Sequence, residues 1–163
     1  MTPCRTCGAP FGPTETMTVP LRALPSVMVT GVEGQRCTSC DNVRYQVQDL
    51  DGLFRMVAFM LVHKPERLSG PEARFLRKWL GWSGQDTAER LGFSPEHVSR
   101  WENGKVRMSD TADRLLRVLA TRLEPIDDYA ALDKLLLRDA DSSDEAEASA
   151  PRLTHNDGEW IAA

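Results

Sequence analysis

The four cysteines of this 163-residue chain form two Cys-x-x-Cys pairs, Cys4/Cys7 and Cys37/Cys40, with 29 residues between Cys7 and Cys37. Each pair can make a tight turn that aims two thiolates at one point. Two such turns supply a closed tetrahedral site, so one structural Zn²⁺ held by all four cysteines is the expected cofactor. A catalytic ion needs an open coordination position, which four thiolates do not leave. Disulfides and a redox dithiol are the alternatives. Cytosolic placement disfavours structural disulfides, and a redox dithiol needs only one pair, inside a thioredoxin-like βαβ pattern that the sequence lacks.

A second stretch with chemistry in it runs from Ser83 to Gly104, SGQDTAERLGFSPEHVSRWENG. Ser83 can cap a helix, with Asp86 three residues on as the acidic half of a capping-box-like pair. Gly92 ends that helix. Ser94 caps the next, and Pro95 stands at its first position, where a missing N–H costs nothing. Two short helices crossing steeply need a small residue where they touch, a turn residue tolerant of positive φ, and apolar residues facing the domain. Ala88, Gly92, Val98 and Trp101 meet those needs in order. The pattern is that of a helix-turn-helix and makes double-stranded DNA the leading candidate partner.

The elements that would position these groups can be placed around them. Thr14 to Pro20 and Ser26 to Thr30 are rich in β-branched and apolar residues and read as short strands joining the cysteine knuckles. A unit this small buries little apolar surface, so a metal would supply much of its folding energy. Asp49 can cap a helix running to about Val62, with Leu50, Leu53, Phe54, Val57, Ala58 and Leu61 as one stripe; Met56, Phe59 and Met60 widen it, which predicts burial on two faces. His63 to Gly70 reads as a polar linker. Ser69 opens a helix to Leu80, with Phe75, Leu76, Trp79 and Leu80 turned to the core. Further helices are expected over 111–122 and 125–138, the last as a dimer contact. Residues 139–163 read as an acidic, disordered tail. The expected domains are thus 1–63, a linker 64–70, 71–138 and the tail. The fold class is a small zinc-ribbon-like α+β domain followed by an all-α domain of five helices.

The net charge of −4 conceals an asymmetry: residues 139–163 carry −6 and the remainder +2, while Arg74 to Arg117 carries a local +3. That modest basic bias is compatible with phosphate contacts. No apolar run approaches bilayer length and MTPCRTC lacks signal-peptide features, so a cytoplasmic protein without a membrane partner is expected.

The segment RFLRKWLGWSGQDTAERLGFSPEHVSRWENGK resembles the Xre-type, phage-repressor-like helix-turn-helix family, above all in SRWENGK. Preceded by the CxxC…CxxC unit and GVEGQRCTSC, residues 1 to about 122 resemble the MqsA family of antitoxins, in which a YgiT-type zinc module precedes this DNA-binding domain. The resemblance implies that the helix from Ser94 to Asn103 enters the major groove and that Arg100 falls on a base-reading arginine. Arginine can donate two hydrogen bonds to a guanine edge. Glu96 stands where the MqsA-type helix carries Asn; a carboxylate can accept from cytosine but cannot reproduce an Asn contact to adenine. Xre domains commonly have Gln where this chain has Gly84, with Gln85 one place later, although Ser83 and the helix-end N–H groups can still hold a phosphate. His97 and Lys105 are either base or phosphate contacts or solvated surface residues. The resemblance also implies a structural ion pair between Glu102 and Arg77.

The expected function is a sequence-specific transcriptional regulator, acting as a type II antitoxin that represses its own operon from a palindromic operator as a homodimer and neutralises a ribonuclease toxin. The alternative is a stand-alone Xre-type transcription factor with a structural zinc module. A thiol or zinc enzyme is disfavoured, because the sequence has no Cys-His pair, no HExxH and no nucleophile beside a base. No catalytic residue is assigned.

Overall fold

A computed structural model describes residues 2–121, 151–156 and 158–162. The chain forms two units, one of residues 1–53 together with 148–163 and one of residues 54–147. In the first, β1 (Phe11–Leu21) and β2 (Leu24–Cys37) make an antiparallel hairpin closed by the two-residue turn Arg22-Ala23. The apolar alternation of β2 places Val27 and Val29 in the core and then resumes at Val32, one residue out of phase. Gly31, at φ 78°, sits at this break, where the partner strand steps only from Val19 to Met17 while β2 steps from Val29 to Val32. The extra residue is a bulge, and glycine is the residue that takes positive φ without a steric penalty. The short β3 (Val43–Tyr45) pairs with Gly34–Arg36 of β2.

The end of the chain departs from the expected unfolded tail. Arg152–Asn156 (β4) and Glu159–Ala162 (β5) form a second hairpin, and β4 joins β2 in parallel through Met28↔Arg152, Val29↔Leu153 and Thr30↔Thr154. Leu153 and Trp160 are buried, and the Trp160 indole N–H donates to the Asp49 carbonyl at 3.1 Å. Residues this short and flanked by charge carry no strand signal of their own; tertiary burial of two side chains decides their conformation. The acidic stretch 139–150 lies outside the described residues, as does the helix expected over 125–138.

Helix α1 (Leu50–His63) begins where Asp49 accepts a hydrogen bond from the Gly52 N–H, and from Phe54 onward it belongs to the second unit. Its core face is Val57, Ala58, Leu61 and Val62, while Phe59 is 55% exposed and Leu50 48%. The expected burial on two faces therefore does not hold along the whole helix. Helices α2 (Gly70–Trp79), α3 (Gly84–Leu91), α4 (Pro95–Glu102) and α5 (Asp110–Ala120) complete the described part of this unit around Phe75, Leu76, Ala88, Val98, Trp101, Met108 and Leu116. Trp79 and Leu80 are only half-buried.

Residues 64–69 are not a free linker. Leu68 is buried, its N–H donates to Asp113 at 2.8 Å, and the Arg117 guanidinium donates to the carbonyls of Val62, Lys64 and Glu66. Asp113 and Arg117 are fully buried and form an ion pair at 3.1 Å along α5. A polar loop is thus fixed by two charges that neutralise each other and satisfy backbone groups, the condition under which charges tolerate burial. Gly70 follows. A Cβ there would fall 2.3 Å from the Trp101 carbonyl oxygen, so the absence of a side chain lets the start of α2 meet the end of α4.

Candidate metal centre and nucleic-acid interface

The two cysteine pairs converge. Cys4 and Cys7 lie in the turn before β1, Cys37 ends β2 and Cys40 lies in the turn after it; the β1–β2 ladder, with Phe11 opposite Cys37, brings the turns together. All four Sγ atoms lie within 4.8 Å of one another, with Cys4–Cys40 at 3.6 Å and Cys7–Cys37 at 3.4 Å. A tetrahedral ion with sulfur bonds of about 2.3 Å requires Sγ–Sγ separations of about 3.8 Å, so the four fit a structural metal site. The same distances are too long for a disulfide, whose sulfurs stand about 2.05 Å apart.

The local backbone favours thiolates. N–H groups of Thr6 and then Cys7 point at Cys4 and lower its pKa to about 6, while the Ser39 N–H lowers that of Cys37. Cys40 is the exception: the Asn42 N–H pulls its pKa down, but the Cys7 sulfur, desolvation and the other two sulfurs outweigh it and push the value up to about 12. Four sulfurs this close cannot all be anionic unless a cation sits among them. A bound metal would cross-link the two turns and draw off the remaining protons.

The helical unit presents a second site. Ser83 caps α3: its hydroxyl accepts from the Asp86 N–H at 3.1 Å and donates to the Asp86 carboxylate at 2.7 Å, and the carboxylate also accepts from the Ser83 N–H at 2.8 Å. These bonds, the hydroxyl's first, hold Asp86 below the usual carboxylate range. The Ser83 hydroxyl proton is thereby committed within the cap. Gln85 is exposed, with its amide 3.4 Å from Glu89. Gly92 closes α3 at φ 76°, and the Ser94 hydroxyl caps α4 by accepting from the His97 N–H at 3.2 Å.

Helix α4 divides into two faces. Val98 and Trp101 are buried, whereas Glu96, Ser99 and Arg100 are exposed. Arg100 makes no ion pair among the described residues, nor does the exposed Lys105 in the following turn. The Glu96 carboxyl is held below its ordinary range by its own backbone N–H and by Ser94, so at neutral pH it can only accept hydrogen bonds. His97 is not a solvated surface residue: half-buried, its ring packs against Phe93 and Trp101 at centroid distances of 5.5 and 4.9 Å.

Behind α4 the structure brings Arg77 and Glu102 together, and adds Arg74. Glu102 accepts from Arg77 Nη2 and Arg74 Nε, each at 3.0 Å, and Arg74 Nη2 donates to Asn103 at 3.0 Å. Burial alone would raise the Glu102 pKa; the Arg77 and then the Arg74 hydrogen bonds reverse this and lower it. The sequence resemblance implied the Arg77–Glu102 pair but not Arg74, whose guanidinium joins it on the same carboxylate. Sequence reasoning also missed the Asp113–Arg117 pair, whose signal was an acid and a base four apart on the same α5 face as Ala112, Leu116 and Ala120.

Among the described residues no helix is long and apolar enough to cross a membrane. No curated protein matches the chain. Residues 70–140 match the family model of the helix-turn-helix domain, and with the capped α3–α4 pair this supports a DNA-binding transcriptional regulator.

Proposed function

We propose that the protein is a sequence-specific repressor of its own operon that reads DNA with α4 and acts as a type II antitoxin of the MqsA kind, with a structural Zn²⁺ in its N-terminal unit. The observation that carries the reading is the exposed face of α4. Arg100 stands there uncommitted, beside Glu96, on a helix whose opposite face is anchored by Val98 and Trp101. In the major groove the Arg100 guanidinium donates to guanine N7 and O6, and Glu96 accepts from a cytosine amine. Lys105 contacts the phosphate backbone, as do Gln85 and the free N–H groups at the start of α3, with Ser83 and Ser94 holding the two helix starts in place. His97 serves chiefly as an aromatic spacer that sets the tilt of α4 against Phe93.

A homodimer would align two such helices on the halves of a palindrome. The order of a four-cysteine unit followed by a helix-turn-helix supports the antitoxin reading over the stand-alone regulator, and a ribonuclease toxin encoded beside the gene is its expected partner. Gel shifts and footprinting on the protein's own promoter test the DNA reading. Arg100→Ala should weaken specific binding by about 1–3 kcal/mol and relax preference at one base position in each half-site. Undiminished, equally selective binding would remove α4 as the reading element. Co-purification with the product of an adjacent reading frame separates antitoxin from stand-alone regulator.

A further inference from the structure

We infer that the Ser99 hydroxyl is a further base-reading group of α4, fixed as a hydrogen-bond donor toward the major groove by a relay from Arg74 through Asn103. This rests on α4 being the recognition helix, and it adds a residue and a base preference to that reading.

Glu96, Ser99 and Arg100 of α4 and its C-cap residue Asn103 are exposed. At helical spacing these four lie on one side, opposite the buried Val98 and Trp101, with Ser99 and Arg100 flanking the line from Glu96 to Asn103. The Asn103 side chain is held at both ends. Arg74 Nη2 donates to Asn103 Oδ1 at 3.0 Å, while Asn103 Nδ2 donates to the Ser99 carbonyl at 2.8 Å and to the Ser99 hydroxyl oxygen at 3.3 Å. A guanidinium can only donate, so the amide end facing Arg74 has to be the oxygen and the end facing Ser99 the NH₂. Arg74 is itself set by Glu102, which accepts from its Nε.

The consequence falls on Ser99. An NH₂ has no acceptor to offer, so the Ser99 oxygen accepts there and its proton has to point elsewhere; among the described residues it finds no acceptor. A hydroxyl with a free proton on this face matches guanine N7 and O6, adenine N7 and thymine O4. A cytosine edge offers an amine and no acceptor, so it would leave the Ser99 proton unpaired in a contact that excludes water. Ser99 therefore selects against cytosine at the strand position it faces, and Arg100, on the other side of the same face, reads a different position. Without the relay a serine hydroxyl accepts as readily as it donates and discriminates little.

Full-length, metal-loaded protein is assayed by competition gel shift against its footprinted half-site and against variants carrying each base in turn at every position. Wild type is expected to disfavour cytosine at one strand position whose discrimination survives Arg100→Ala. Ser99→Ala should reduce that discrimination by about threefold to tenfold, the range of one neutral hydrogen bond, and leave the other positions as they were; Ser99→Thr, which keeps the hydroxyl, should preserve it. Asn103→Asp replaces the NH₂ by a second acceptor and keeps the contact to Arg74. The Ser99 proton then turns to the introduced carboxylate, its oxygen faces the groove as an acceptor, and cytosine should become the favoured base at that same position. Uniform weakening across all sequences by Ser99→Ala would make Ser99 a phosphate contact and overturn the assignment, as would unchanged discrimination. An Asn103→Asp variant with the wild-type preference would overturn the relay. If Arg100→Ala relaxes its own position while Ser99→Ala changes none, the inference fails and α4 remains the reading element; if neither changes any preference, the reading of α4 falls and the inference with it.

Discussion

The two units of the chain solve the same problem, holding short elements in a fixed arrangement, by opposite means. In the cysteine-bearing unit the ends of a long hairpin are gathered by four thiols within 4.8 Å, and the edge of β2 is completed by a hairpin from more than a hundred residues away. In the helical unit α2 to α5 are capped locally, by Ser69, Ser83, Ser94 and Ser109, and the loop 64–69 is then locked by a buried charge pair. One unit depends on long-range closures and carries a four-cysteine site fit for a metal. The other is built from local signals plus packing, which is why its elements are easier to anticipate.

Metal withdrawal is the strongest way to break this comparison. A tight chelator, or Cys37→Ser, should unfold the sheet of residues 2–53 and release the C-terminal hairpin, while the helical unit keeps its amide-exchange protection. Exchange measured residue by residue checks it. A sheet that stays protected without metal would place its stability in the apolar core instead.

The converse perturbation is Asp113→Ala. It removes the Asp113 carboxylate from the buried Arg117 guanidinium and the Asp113 acceptor from the Leu68 N–H, so the helical unit should lose about 3–5 kcal/mol, with metal content unchanged. Denaturant titration with a metal assay reads both. A loss below about 1 kcal/mol would mean that residues 64–69 are not held by this pair. Next in size is Leu153→Ala, at a fully buried position of β4, expected to cost about 2–4 kcal/mol and to act only on the sheet unit. If the helical unit responded instead, the assignment of the hairpin to the sheet would be wrong.

What was legible in the sequence follows the same division. The starts of α2, α3 and α4 could be read from Ser69, Ser83 and Ser94, because a cap is a local event between residues three apart. The four cysteines announced a common site through type and spacing alone. The partners of β2 were not legible: strand pairing is set by what a distant segment can bury, and β4 and β5 are only five and four residues long. The tied-down loop 64–69 was read as a linker because its own residues are polar; the groups that fix it sit on α5. Composition reports what a segment is made of, whereas Arg117 acts on carbonyls some fifty residues away, which composition does not encode.

The smallest expected effect concerns Glu102, and it separates charge from shape in the helical unit. Its carboxyl pKa is lowered in the folded state, chiefly by Arg77 and Arg74 working against burial. A depressed folded pKa means that the ionised form contributes stability fully above the unfolded-state value, near 4.3, and that this contribution fades as pH falls through the lower folded value. Glu102→Gln keeps the size and loses the charge, so it should cost about 1–3 kcal/mol at neutral pH, the range of charge-assisted hydrogen bonds. The gap to wild type should then close in acid, as the wild-type carboxyl also becomes neutral. Because Arg74 is 40% exposed, most of the effect belongs to Arg77, and Arg74→Ala should reproduce only a minor part of it. Thermal unfolding of the helical transition at several pH values decides the matter: a Gln variant whose deficit stays constant down to pH 3 would show that Glu102 matters for its packing against α2 and not for its charge.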